Sequence, residues 1–208
     1  LSFREYKTAQ YVHDALQTFG ELELSRPTKT SVVARLVGKH PGPVLALRAD
    51  MDALPIQEEN QLEFASRHPG IMHACGHDAH TAMLLGAAKV LAQMKDELEG
   101  EIRFLFQHAE EQHSGGAQEM VRAEVVEGVD EVIALHLNSL MPVGKIEVVE
   151  GPVTANSDRF DIHVYGKGGH ASQPQFTVDP IVIGSQIVTN LQNVVSRRCD
   201  PFAQLVVS

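Results

Sequence analysis

The chain has 208 residues and a formal net charge of −10, from 17 Lys and Arg against 27 Asp and Glu. Hydrophobic residues make up 43% and charged residues 21%, which excludes a disordered or fibrous chain. The acidic balance argues against a nucleic-acid partner. No apolar run approaches the roughly 18 residues that mark a membrane span, and Cys75 and Cys199 alone make no disulfide framework.

Residues 1–19 place Tyr6, Ala9, Val12, Leu16 and Phe19 at three- and four-residue steps, predicting an amphipathic helix. Strands are predicted over 31–37 and 43–49, joined by a turn at 38–42. An Ala-, Leu- and Met-rich run from Thr81 to Met94 predicts a mostly buried helix. Strands follow at 101–107, 131–137 and 144–149, with a short helix at 115–123. Strands alternating with helices predict an α/β layered domain on a mainly parallel sheet. The pattern changes near Gly151 and Pro152. Residues 158–165 alternate strictly, a long helix is predicted over 178–195, and residues 202–208 read as a strand. This predicts a smaller α+β domain and a division into 1–155 and 156–208. No initiator Met opens the chain and it stops inside the last predicted strand, so the sequence reads as a piece of a longer protein.

Three motifs carry chemistry. Arg48-Ala49-Asp50-Met51-Asp52 closes a predicted strand, the edge where ligands gather in open α/β sheets. Asp50 and Asp52 fit turn or cap residues as well. Met72 to His80 (MHACGHDAH) packs three His, one Cys and one Asp into one short segment. Thiolate and imidazole are preferred ligands of zinc-like metals, and a carboxylate completes such a shell. Cys75 and His77 reach one ion only from an irregular loop, which Gly76 permits. A His-rich loop capping a helix is the plainer alternative. Paired Cys-x-x-Cys units are missing, which points away from a structural zinc site. Third, Glu110 and Glu111 follow a strand directly. One carboxylate there can hold a metal while the other stays free as a base, although acidic residues also favour helix N-termini. His136, in ALHL, is a fourth candidate, and a lone His in an apolar strand is commonly a satisfied core residue. The set suits amide hydrolysis, in which cations polarise a carbonyl and acidify water while a Glu moves the proton. No Gly-x-Ser-x-Gly elbow supports a serine triad. Cys75 as a metal-independent thiol nucleophile is the rival.

The motifs LRADMDALPI, MHACGHDAHTAMLLGAAKVL, FQHAEE, ALHL and GKGGHASQP, in this order, resemble one family. It comprises the dinuclear metallo-amidohydrolases of the hippurate hydrolase, N-acyl-amino-acid deacylase and auxin-conjugate hydrolase type, in the aminoacylase and carboxypeptidase-G clan. The resemblance implies a catalytic domain binding two divalent ions (Zn, Mn, Ni or Co) and a lid domain that forms a homodimer. It assigns Cys75, His77, Glu111 and His136 to metal, Glu110 as general base, and Asp52 to orienting a metal-bound group. His170 is assigned to the substrate's carbonyl or carboxylate, reaching into the partner's site. The implied substrate is a small N-acyl amino acid, cleaved by a metal-activated water. Relatives usually carry Pro at His108, so a changed turn and an added titratable group near the metals are expected. The family's last ligand, a His, falls beyond residue 208, so weak metal binding and poor turnover of this piece are expected. A catalytically inactive relative that only binds ligand fits the same gap. A metal thiolate suits a reducing compartment, giving a cytoplasmic expectation.

Overall fold

The computed structural model describes residues 1–154 and 156–208; residue 155, at the expected domain division, lies outside the described residues. The chain forms two compact units, residues 1–143 and 144–208.

The first unit opens with helix α1 (Tyr6–Gln17), whose Ala9, Val12 and Leu16 are buried as the spacing requires. Five strands make one sheet: β1 (Glu23–Ser25), β2 (Val32–Val37), β3 (His40–Asp50), β4 (Glu99–Gln107) and β5 (Glu131–Ala134). Helix α2 (His77–Gln93) lies between β3 and β4 in sequence, and α3 (Gly116–Arg122) between β4 and β5. The sheet order is β1-β2-β4-β3-β5. The β3–β4 and β3–β5 pairs are parallel and the β1–β2 and β2–β4 pairs antiparallel, so only β2 opposes the rest. This is the mixed α/β, mainly parallel architecture expected. The predicted turn at 38–42 does not close a hairpin, however. β4 inserts between β2 and β3, and β3 already begins at His40. Strand β1 carries too few residues for its alternation to be read from sequence.

Both faces of the sheet are covered, which explains the almost continuous apolar run in β2. Val32, Ala34, Leu36, Phe104 and Phe106 pack with α1 and α2, while Val33, Ala46, Leu105 and Met120 pack on the opposite side with α3. On that second side Glu101 accepts hydrogen bonds from Arg35 Nε (2.9 Å) and Nη2 (2.6 Å) and from Arg103 Nε (2.6 Å). Arg35 and Arg103 outweigh the burial that would raise it and hold the Glu101 carboxyl down at about 2. Its folded pKa lies below the ordinary 4.5, so its contribution to stability is complete above that pH and fades as pH falls toward 2. Glu101→Gln is therefore expected to lower Tm at neutral pH, and the gap from the unsubstituted chain should shrink below pH 4.5; calorimetry across that range checks it.

In the second unit α4 (Pro180–Asn193) starts on an Asp179 cap, whose carboxylate accepts from the Ile181 and Val182 N–H, and it runs into one π-type turn at Val194–Arg198. Among the described residues no strand forms at 144–149, 158–165 or 202–208, contrary to expectation. A strand exists only where its backbone finds a ladder partner. Here the single ladder contact is an isolated bridge between Lys167 and Val178, and Phe160 and Ile162 stay exposed. No helix of the described residues is long and apolar enough to cross a membrane.

Candidate metal centre

The three parallel strands deliver the motifs to one edge. β3 ends at Asp50 beside Gln107, the last residue of β4, so Asp52 and the segment 108–111 leave the sheet as neighbours. β5 ends at Ala134, two residues before His136. Gly76 breaks the backbone between Cys75 and His77 with a φ of 91°, a left-handed value that suits glycine, and a side chain there would press on Leu137. His77 is then the first residue of α2, four residues earlier than the predicted helix start, so of this pair only Cys75 reaches the site from a loop.

Cys75 Sγ lies 3.3 Å from His136 Nε2. Ligand atoms of Cys75, His77 and His136 lie within 4.8 Å of one another, as do those of His77, Glu110 and Glu111. His77 joins the two sets. It is 1% exposed, and neither ring nitrogen completes a hydrogen bond. Nδ1 sits 3.3 Å from Asp52 Oδ1, and Nε2 sits 3.7 to 3.9 Å from carboxylate oxygens of Asp50, Glu111 and Glu110. A buried imidazole with both nitrogens unsatisfied is costly. One facing several carboxylates and a thiol leaves a gap that a cation fits.

The charges of the site say the same. Burial pushes the Cys75 thiol up to about 11, and Glu111, Glu110 and Asp50 push with it. Burial and the neighbouring Glu111 and Asp50 also raise the Glu110 carboxyl. Burial disfavours a charged His77, but Asp52, Asp50 and Glu110 overturn this and lift its pKa. Too much negative charge converges here for the metal-free site to stay fully ionised.

Asp52 organises the base-bearing turn. Its Oδ1 accepts from the Glu110 N–H (3.0 Å) and its Oδ2 from the Glu111 N–H (3.1 Å) and the Ser2 hydroxyl (2.7 Å). Burial alone would raise it; His77, Ser2 and the two N–H groups overcome that and hold it well below the carboxylate range. Ala109 takes a φ of 47°, a strained value for alanine. It is fixed by its N–H donating to Glu5 Oε1 (2.9 Å) and its carbonyl accepting from Gly116 (2.9 Å).

His108 departs from its expected place beside the metals. Its buried ring turns to Glu119 (2.9 Å) and Thr28 (3.4 Å) and meets Phe3 edge-on, and it belongs to none of the ligand groups. A Cβ at residue 116 would lie 1.9 Å from the His108 carbonyl, which is why glycine stands there. His170 lies in the second unit, exposed, with Nδ1 near the Ser172 hydroxyl (2.8 Å). Ser2, Glu5 and His80 lacked a sequence signal of their own, and Asp50, singled out with Asp52 at the strand end, was assigned no role at the site. Asp50 and His80 stood inside quoted motifs, and the helical i, i+3 spacing of His77 and His80 was the available clue.

Residues 46–201 match the family described as Peptidase family M20/M25/M40, and the chain belongs to it. Over 208 residues it is 64% identical to the N-acyl-L-amino acid amidohydrolase of Geobacillus stearothermophilus, covering all of this chain and 56% of that protein. It is 46% identical to thermostable carboxypeptidase 1 of Saccharolobus solfataricus, covering all of this chain and 53% of that one. The solved structure of Bacillus subtilis YXEP, a dinuclear metal binding peptidase, matches at a TM-score of 0.73 and 40% identity, over 93% of this chain and 52% of that one. The chain spans about half the length of these relatives.

Proposed function

We propose that this chain carries the metal centre of an amidohydrolase that frees an amino acid from an N-acyl amino acid. The observation that carries this is His77, buried without a hydrogen bond between the Cys75–His136 pair and the Glu110–Glu111 pair. Cys75, His77, His136 and Glu111 would hold two divalent ions, which when bound polarise the amide carbonyl and acidify water. The thiolate favours zinc, nickel or cobalt, and manganese suits the carboxylates.

Glu110 moves the proton. Its side chain is 42% exposed, the more open of the two carboxylates, and its raised affinity for a proton suits a group that must first accept and then release one. It takes a proton from the attacking water and hands it to the leaving amine. Asp52, by holding the 110 and 111 N–H groups, fixes where that carboxylate stands. We assign His170 to the substrate's carbonyl or carboxylate, residues 156–208 to pairing with a second copy, and the protein to a reducing cytoplasm. The sequence motifs support these three assignments.

Loaded with zinc or manganese, the chain should hydrolyse N-acetyl or N-benzoyl amino acids at a low but measurable rate, lose this activity to EDTA and regain it with metal. Hydrolysis that survives both chelation and Cys75→Ala contradicts the reading. Metal-independent cysteine chemistry is disfavoured, because a thiol whose pKa is raised to about 11 is protonated at neutral pH.

A further inference from the structure

Asp50, His77 and His80 also bring ligand atoms within 4.8 Å of one another and are all buried, yet His80 has no lone pair to offer a metal. The Leu137 backbone N–H donates to His80 Nε2 at 2.9 Å. A backbone N–H only donates, so that nitrogen is unprotonated. The proton therefore sits on Nδ1, which donates to Asp50 Oδ1 at 2.7 Å. Arg48 Nη1 holds the other oxygen of Asp50 at 2.9 Å. Both nitrogens of His80 are consumed by partners on β3 and on the segment after β5.

Leu137 is held at both of its backbone polar groups, which belong to successive peptide bonds. Its N–H meets His80, and its carbonyl accepts from His136 Nδ1 at 2.7 Å. A carbonyl only accepts, so Nδ1 of His136 carries a proton, and in the neutral ring Nε2 is then bare and faces Cys75 Sγ. The two rings touch, with centroids 4.6 Å apart at 65°. We propose that His80 is a positioning residue that anchors the Leu137 peptide and thereby sets His136 with Nε2 turned toward Cys75. It sharpens the proposed metal reading, but its own claim concerns the metal-free chain.

Two measurements on the metal-free chain and one on zinc uptake test it. Imidazole nitrogen NMR of the unsubstituted chain at neutral pH should show both His80 and His136 as Nδ1–H tautomers. Hydrogen exchange at the Leu137 amide should quicken at least roughly tenfold in His80→Leu, while the Phe104 amide in the core stays protected. Zinc affinity should fall roughly 10- to 100-fold in His80→Leu. His80→Gln keeps one donor and one acceptor and should recover most of both. An Nε2–H tautomer at His80, or Leu137 exchange unchanged in a folded His80→Leu chain, overturns the proposal. If His80→Leu fails to fold, the tautomers of the unsubstituted chain decide. A chain that takes up no zinc, yet shows both tautomers as stated, overturns the hydrolase reading and leaves the role of His80 standing.

Discussion

Glu110→Gln should cut kcat of the metal-loaded chain on an N-acyl amino acid roughly 10²- to 10⁴-fold, the range a positioned acid–base group supplies. Glutamine has nearly the same shape but cannot take a proton. The carboxylate lies 3.9 Å from His77 Nε2, and its backbone is pinned by Asp52, so the amide should occupy the same place. KM and metal content should therefore change little, and steady-state kinetics with metal analysis separates the cases. If kcat falls only because metal is lost, Glu110 is a ligand and the base lies elsewhere. Glu111→Gln should behave in the opposite sense, with metal affinity falling first.

The second large effect lies at Cys75. A thiol whose pKa is raised to about 11 must give up its proton before it can bind a cation. Metal affinity should therefore rise about tenfold per pH unit below that value, with His77 adding a second proton over the range where its raised pKa is crossed. Proton release on zinc binding, read by calorimetry in buffers of different ionisation enthalpy, should approach one per chain for the thiol. Cys75→Ser should abolish that release and lower affinity by more than the roughly 100-fold that a lost supporting contact costs. Iodoacetamide should label the metal-free chain slowly at neutral pH, faster as pH rises, and hardly at all once metal is bound.

The pattern of residues made some of this legible and hid the rest. The apolar spacing in 1–19 and 81–94 located α1 and most of α2, because each buries one face against a sheet. The start of α2 was hidden. The residues that open it are chosen for His77 and His80, so the apolar period only emerges from Thr81. The alternating segment 158–165 read as a strand, yet alternation reports a face to be covered and not the ladder partner that makes the strand. At the site, residue chemistry singled out Cys75, His77, Glu110, Glu111 and His136, which the strand ends bring together. Asp50 and His80 were invisible as a pair, because a hydrogen bond across 30 residues leaves no local trace. Likewise the hold of Ser2 on Asp52 and of Glu5 on Ala109 joins the first turn of the chain to a loop far along it.

X-ray absorption at the zinc edge of the loaded chain asks most directly whether these side chains share a cation. The account predicts one sulfur at about 2.3 Å together with imidazole and oxygen ligands, and loss of the sulfur in Cys75→Ser with the imidazole signal kept. A zinc shell without sulfur, or one that is the same in Cys75→Ser, would contradict it.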